Sequence, residues 1–248
     1  MLSRTLMQPG PGSPRDHIIV AHSSDLHINF EKASNRSTVF VLETVLRTAA
    51  ASEADVLLLA GDIFDHNRIP LAVLDEVTNV LGDYGRPVVI LPGNHDPLTP
   101  DSVYHRGGIA DPANVHVFGV TDGDLAVLDD LDLAVWGRPH RDFLDMSPLE
   151  TAPVRRHRWQ IAMAHGHWHP GDDHPGRSWL IRDSEIAALD ADYLALGHWD
   201  RPTPAGDGSV PAYYSGSPDL ARTINIVRLG GNSANGVRVS RSPLEGPV

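Results

Sequence analysis

The feature that most constrains this chain is an alternation in its first half, where short apolar runs are separated by segments with helical periodicity. Residues 18–20, 56–59 and 88–91 read as buried strands. Between the first two, Val39, Leu42, Val45, Leu46 and Ala49 recur at helical spacing, with Ser37 or Asn35 as the N-cap. Between the next two, Pro70 stands where a helix can begin, and Leu71, Leu74, Val77, Val80 and Leu81 supply its apolar face. Strand, helix, strand, helix, strand is the pattern of parallel strands joined by crossover helices, which makes the chain an α/β protein.

Two further buried strands are expected at residues 161–164 and 193–196. The rest of the second half carries hairpin signals. Residues 125–128 and 131–136 flank Asp129-Asp130, and residues 223–229 are followed by Gly230, Gly231 and an alternating run over 237–240. These lean the second half toward antiparallel pairing. Residues 138–158, rich in Arg, Pro and His, lack clear periodicity and are expected to form a loop over a site. A chain of 248 residues, 41% hydrophobic, is ample for one sizeable core. Residues 17–248 are therefore expected to form a single domain, preceded by a loose arm over 1–16 that holds Pro9, Pro11 and Pro14.

Composition narrows the chemistry. With no cysteine, disulfides and thiolate metal sites are excluded together, so any metal must be held by oxygen and imidazole nitrogen. A formal net charge of -12 argues against a broad basic surface that grips duplex nucleic acid through its phosphates. It leaves a phosphate-bearing substrate open, because bound cations cancel the charge of carboxylates that ligate them. The first residues lack the continuous apolar stretch of a secretory signal, and charges or prolines interrupt every later apolar run. A soluble, cytoplasmic protein with no membrane partner is expected.

Each of the five buried runs is followed by polar residues suited to hold a metal. Asp25-Leu26-His27 follows the first, Gly61-Asp62-Ile63-Phe64-Asp65 the second, Gly93-Asn94-His95-Asp96 the third, His165 the fourth and Gly197-His198-Trp199-Asp200 the fifth. Singly, each is as well explained by turn chemistry or by a structural histidine. Together they place every candidate ligand at the same end of its strand, where open sheets build their sites.

In this order the motifs resemble the signature of calcineurin-like metallophosphoesterases. Gly61-Asp62-Ile63-Phe64-Asp65, and Ala195-Leu196-Gly197-His198 followed by Tyr214-Ser215-Gly216-Ser217-Pro218, look most like the SbcD-type DNA repair nucleases. The resemblance implies a four-layer α-β-β-α sandwich with two mixed β-sheets and a pair of divalent cations. Asp25, His27 and Asp62 would bind one cation, and Asp62, Asn94, His165 and His198 the other, with Asp62 bridging. His95 would lie beside the scissile phosphate as the catalytic acid. The family's last motif normally ends in a histidine on the first metal, and here Asp200 stands in its place. An added carboxylate favours Mn²⁺ over Zn²⁺, with Fe and Mg²⁺ as further candidates. Gly166-His167-Trp168-His169, read as a loop, holds two imidazoles that are alternatives to Asp200.

Such a metal pair makes hydroxide available near neutral pH for in-line attack on phosphorus, so no nucleophilic Ser or Cys is required. Arg68, Arg138, Arg141 and Arg201 are the basic residues nearest the motifs and candidates for phosphate oxygens, while His22, Asp65, Asp96 and His140 are candidates to orient ligands. The leading expectation is a nuclease-like phosphodiesterase. SbcD-type enzymes continue into a capping and partner-binding region, whereas little follows Ser240 here, which points to short or single-stranded nucleic acid, a nucleotide or another small diester. A phosphomonoesterase is the runner-up, and a non-catalytic interaction scaffold of the same fold ranks third.

Overall fold

The computed structural model describes residues 16–31, 36–150, 153–171, 173, 176–230 and 236–246. Residues 1–15 of the expected arm, the alternative cap Asn35 and the turn residue Gly231 lie outside these. Within them, the sheet-forming strands in chain order are β1 (His17–Ser23), β2 (Val56–Ala60), β3 (Val88–Leu91), β4 (Val115–Val117), β5 (Leu125–Leu128) and β6 (Leu133–Gly137). They continue with β7 (Trp159–His165), β8 (Tyr193–Gly197), β9 (Thr203–Ala205), β10 (Ala212–Tyr214), β11 (Thr223–Gly230) and β12 (Val237–Pro243). They form two six-stranded mixed sheets, ordered β12-β11-β1-β2-β3-β4 and β9-β10-β8-β7-β6-β5.

The period-2 alternation of side chains builds the layers. On β1, Ile18 and Val20 point between the sheets and pack with Val56, Leu58, Val135, Ile161, Met163 and Tyr193, while Ile19 and Ala21 face the other way. That outer face is covered by α1 (Phe40–Ala51) and α2 (Leu71–Tyr84), whose Leu42, Val45, Leu74 and Val77 pack on Leu57 and Leu59. The second sheet's outer face, with Ala162, Ala164, Leu194 and Leu196, is covered by Ile181 and by Ile186 of a five-residue helix, Asp183–Ala187. The fourth layer of the expected sandwich is therefore thin in this chain.

The first half follows its sequence pattern with small differences. Ser37 does not cap α1: its hydroxyl donates to Glu76 instead, and Val39 occupies the N-cap with no side-chain bond. Pro70 does precede α2, but Leu71 in the first turn is left exposed and Val73 takes its place in the buried stripe. The antiparallel reading of the second half holds at its edges, where β5 pairs with β6, β9 with β10 and β11 with β12. It fails at the centre, where β6, β7, β8 and β10 run parallel. The crossover from β6 to β7 runs through residues 138–158, which contain no helix or strand among the described residues, so it has no periodic signature to read. Residues His167–His169, expected as loop, form a short strand paired in parallel with Leu180–Arg182. No helix of the described residues is long and apolar enough to cross a membrane.

Candidate metal centre

Strands β1, β2 and β3 of one sheet and β7 and β8 of the other bring their C-terminal ends to one edge of the sandwich. The two sheets are tied there by polar contacts: His165 Nδ1–H donates to the Ala60 carbonyl at 2.9 Å, and His198 N–H to the Asp25 carboxylate at 3.0 Å. The loop after β1 runs along the loop after β2, with Asp25 N–H on Gly61 O at 3.0 Å and His27 N–H on Asp62 O at 3.1 Å. Such close approach excludes side chains at two points. A Cβ on Gly93 would lie 2.2 Å from Asp62 Oδ1, and one on Gly197 would lie 1.8 Å from the Ala60 carbonyl oxygen.

Eight non-glycine residues among those described have positive φ, and four of them are candidate ligands: Asp25 at 54°, His27 at 47°, Asp62 at 52° and His198 at 102°. Each such residue costs on the order of 1–3 kcal/mol and persists only where its surroundings over-determine it. The concentration of strain here marks the strand ends as a place where side-chain direction outranks backbone comfort.

Asp62, buried, stands between two sets of donor atoms. Ligand atoms of Asp62, His27 and His95 lie within 4.8 Å of one another, and so do those of Asp62, His165 and His198. Asp62 Oδ2 is 3.1 Å from His165 Nε2, while its Oδ1 accepts the backbone N–H of His95 at 2.8 Å. Asn94 Oδ1 joins the second set, 3.0 Å from His165 Nε2 and 3.1 Å from His198 Nδ1. Because the Ala60 carbonyl takes the His165 Nδ1 proton, Nε2 is the atom this ring offers. The donor set is oxygen and imidazole nitrogen, and buried His27 Nδ1 makes no hydrogen bond among the described residues, its nearest acid being Asp65 Oδ1 at 3.6 Å. These are donors that a divalent first-row cation takes, so the residues fit divalent-metal binding, with Asp62 common to both groups.

Burial pushes the Asp25 carboxyl up to about 6, and the nearby Asp62 adds to the rise. Burial acts on Asp62 in the same direction, but His165 and the His95 N–H hold its carboxyl well below the usual range. His165 is the mirror case: burial disfavours its charge, yet Asp62 and Asp25 lift it to about 9. His198 is driven down to about 3 by burial and by its neighbour His165, which keeps it neutral as a ligand must be. The His165 proton and a divalent cation compete for the same atoms, so cation binding here releases a proton.

The calcineurin-like phosphoesterase family pattern matches residues 18–202. The chain belongs to this family. It is 27% identical over 240 aligned residues to the D component of the SbcCD nuclease of Bacillus subtilis, covering 80% of this chain and 61% of that protein. It is 33% identical over 84 residues to DNA double-strand break repair protein Mre11 of Aeropyrum pernix, covering 31% of this chain and 20% of that protein. The chain thus spans about three fifths and one fifth of these two relatives. The crystal structure of TT1561 of Thermus thermophilus superposes with a TM-score of 0.58 at 12% identity, covering 92% of this chain and 99% of that one, which shows the shared fold. The family is one of divalent-metal-dependent phosphoester hydrolases.

Not every residue named from the sequence joins this calcineurin-like centre. Asp200 is exposed, lies outside both donor groups, and uses its backbone carbonyl to accept Ser217 N–H at 3.1 Å. Of its alternatives, His169 pairs with Asp173 at 2.8 Å, whereas the His167 ring lies 6.4 Å from that of His198 and accepts from the Trp199 indole at 3.3 Å. Arg138 turns away to an ion pair with Glu150, Arg141 pairs with Asp124 at 3.0 Å, and Arg201 sits exposed beside Asp200. Arg68 alone of the four lines the same cavity as Asn94 and His95. His22 faces Tyr193 Oη at 2.9 Å rather than any ligand, and His140 Nε2–H donates to the His165 carbonyl at 2.9 Å.

Asp96 gathers Gly93 N–H, Ile63 N–H, Phe64 N–H and Tyr104 O–H, at 2.7, 2.9, 3.0 and 2.7 Å. It thereby ties the loop that carries Asn94 and His95 to the loop that carries Asp62. Sequence reasoning missed three neighbours. Ser24 donates to Asp25 and shares a 2.8 Å hydrogen bond with Ser215 Oγ, which anchors that carboxylate across the sheets. Trp179 stands over the site with its ring 5.1 Å from that of His140 and 5.9 Å from that of His198. Ser24 stood beside a motif position and Ser215 inside the 214–218 run without a role of its own, whereas nothing in the sequence marked Trp179.

Proposed function

We propose that the protein is a binuclear metal-dependent phosphodiesterase of the nuclease-like kind, acting on short nucleic acid or nucleotide esters. The observation that carries this reading is Asp62 standing between two donor groups at one strand-end edge. In it, His27 and Asp62 would hold one cation, joined by Asp25, whose carboxylate stands outside both close donor groups and accepts His198 N–H at 3.0 Å, and Asp62, Asn94, His165 and His198 would hold the other, with Mn²⁺ the preferred metal because carboxylate and amide oxygens contribute heavily. A bound pair supplies a water ionised near neutral pH and neutralises charge on a phosphoryl oxygen. Arg68, on the wall of the same cavity, holds a phosphate oxygen. His95 Nδ1–H donates to the Asp65 carbonyl at 3.0 Å, so the ring would serve as the acid in its doubly protonated form, giving its Nε2 proton to the departing oxygen and keeping the one on Nδ1. Comparing bis(p-nitrophenyl) phosphate with p-nitrophenyl phosphate in the Mn²⁺-loaded protein tests the reading. Faster turnover of the diester is expected, and exclusive turnover of the monoester would reverse the assignment.

Substitutions at two positions probe individual roles. His95→Ala is expected to lower kcat by roughly 10²-fold while metal content stays near that of the parent, as loss of a general acid requires. Loss of both metals would make His95 a ligand. Asp200→Ala is expected to keep two equivalents of metal by elemental analysis, because its side chain is exposed whereas Asp25 is buried against the cluster. Loss of one equivalent in Asp200→Ala would make Asp200 a ligand after all.

A further inference from the structure

Beside the donor cluster opens a cavity of about 530 Å³ whose lining includes Arg68, Asn94, His95, Phe143 and Trp179. Its two aromatic walls are unlike each other. Phe143 is 66% exposed, a large apolar ring left in water next to a polar site. Trp179 is fixed in place, its indole N–H donating to Leu144 O at 2.9 Å and its backbone N–H to Asp145 Oδ1 at 2.6 Å. Those bonds tie it to the 138–150 segment that carries Phe143, so both rings stand on one rim of the cavity. The cavity volume lies in the range that encloses a small organic ligand. Asn94 and His95 line it too, so the cavity opens directly onto the donor cluster.

We infer that Phe143 and Trp179 are specificity-determining residues that receive a planar heteroaromatic group, a nucleobase, on the part of the ester that stays attached to phosphorus. Stacking accepts any base, because every base offers a π-face, and Arg68 holds the phosphate at the polar end of the same cavity. The inference rests on the hydrolase reading above and sharpens it to nucleotidyl esters over alkyl ones.

Thymidine 5′-(p-nitrophenyl phosphate) and methyl p-nitrophenyl phosphate test it, since water displaces the same p-nitrophenolate from phosphorus in both. The parent protein is expected to show a KM about tenfold lower for the thymidine ester, and Phe143→Ala to raise that KM about tenfold more than it raises the methyl ester's. Phe143 is exposed, so its truncation leaves the fold intact, and Trp179→Phe should retain most of the preference. Equal KM values for the two esters in the parent, or a Phe143→Ala change that moves both alike, would overturn the inference. Calorimetry of thymidine 5′-monophosphate against inorganic phosphate reads the same wall without turnover. Tighter nucleotide binding that Phe143→Ala abolishes supports the wall even if neither ester is cleaved, an outcome that would sink only the hydrolase reading. Nucleotide binding no tighter than phosphate would sink the wall.

Discussion

Asp62→Asn is expected to lose stable binding of both cations and at least roughly 10³-fold in kcat, since several kcal/mol of charge stabilisation at the phosphoryl group disappear and each 1.36 kcal/mol is tenfold. The change keeps the shape of the side chain and an oxygen to accept the His95 N–H, so the loop geometry survives. What goes is the negative charge that belongs to both donor groups. The same charge lifts His165, which without it falls back from about 9 toward the value burial dictates. The measurement is elemental analysis beside a rate assay. Parent protein stripped by a chelator should regain activity when Mn²⁺ is restored, and Asp62→Asn should not. Two tightly held equivalents in Asp62→Asn, with rates within about tenfold of the parent, would remove Asp62 from the centre of the mechanism.

The parts of this protein that the sequence made legible are those under local control. Strands β1, β2 and β3 were visible because full burial leaves continuous apolar runs, and α1 and α2 because only one face of each is buried. The convergence of Asp25, Asp62, Asn94, His165 and His198 was readable because each follows a buried strand, so strand direction alone carries them to one edge. The parallel centre of the second sheet was hidden because its crossover from β6 to β7 has no helical period, and two hairpins at the edges spoke louder. Side-chain direction was hidden as well. Arg138 sits directly after β6, as near in sequence as any basic residue, but Glu150 twelve residues on captures its guanidinium. Asp200 occupies a motif position, yet its side chain is left at the surface while its carbonyl serves Ser217. Sequence separation predicts which loop a residue joins, and packing decides where its terminal atoms go.

Gly197→Ala is expected to damage stability and catalysis together, because the space it would occupy is the contact between the two sheets. Its Cβ would meet Ala60 O at 1.8 Å, His165 Nδ1 at 2.7 Å and Ser24 Cβ at 2.9 Å. The first of these is backbone of β2, so no side-chain rotation relieves the clash and β8 must move away from β2. Overpacking of this kind costs about 1–3 kcal/mol. In a chain of this size that corresponds to a Tm lower by about 3–10 °C. Movement also separates His198, next along β8, from Asp25 and Asn94, and a shift on the order of 1 Å in a catalytic constellation costs about 10²-fold in rate. Gly82→Ala is the matched control: it lies in α2, its Cβ would meet only Pro112 carbons at 3.6 Å, and it should raise stability by roughly 0.5–1 kcal/mol without touching activity. Thermal melts and kcat for the two variants separate a local clash at the sheet contact from a general effect of adding a methyl group. A Gly197→Ala protein with the parent's Tm and kcat would mean that the two sheets do not meet as closely as this geometry requires.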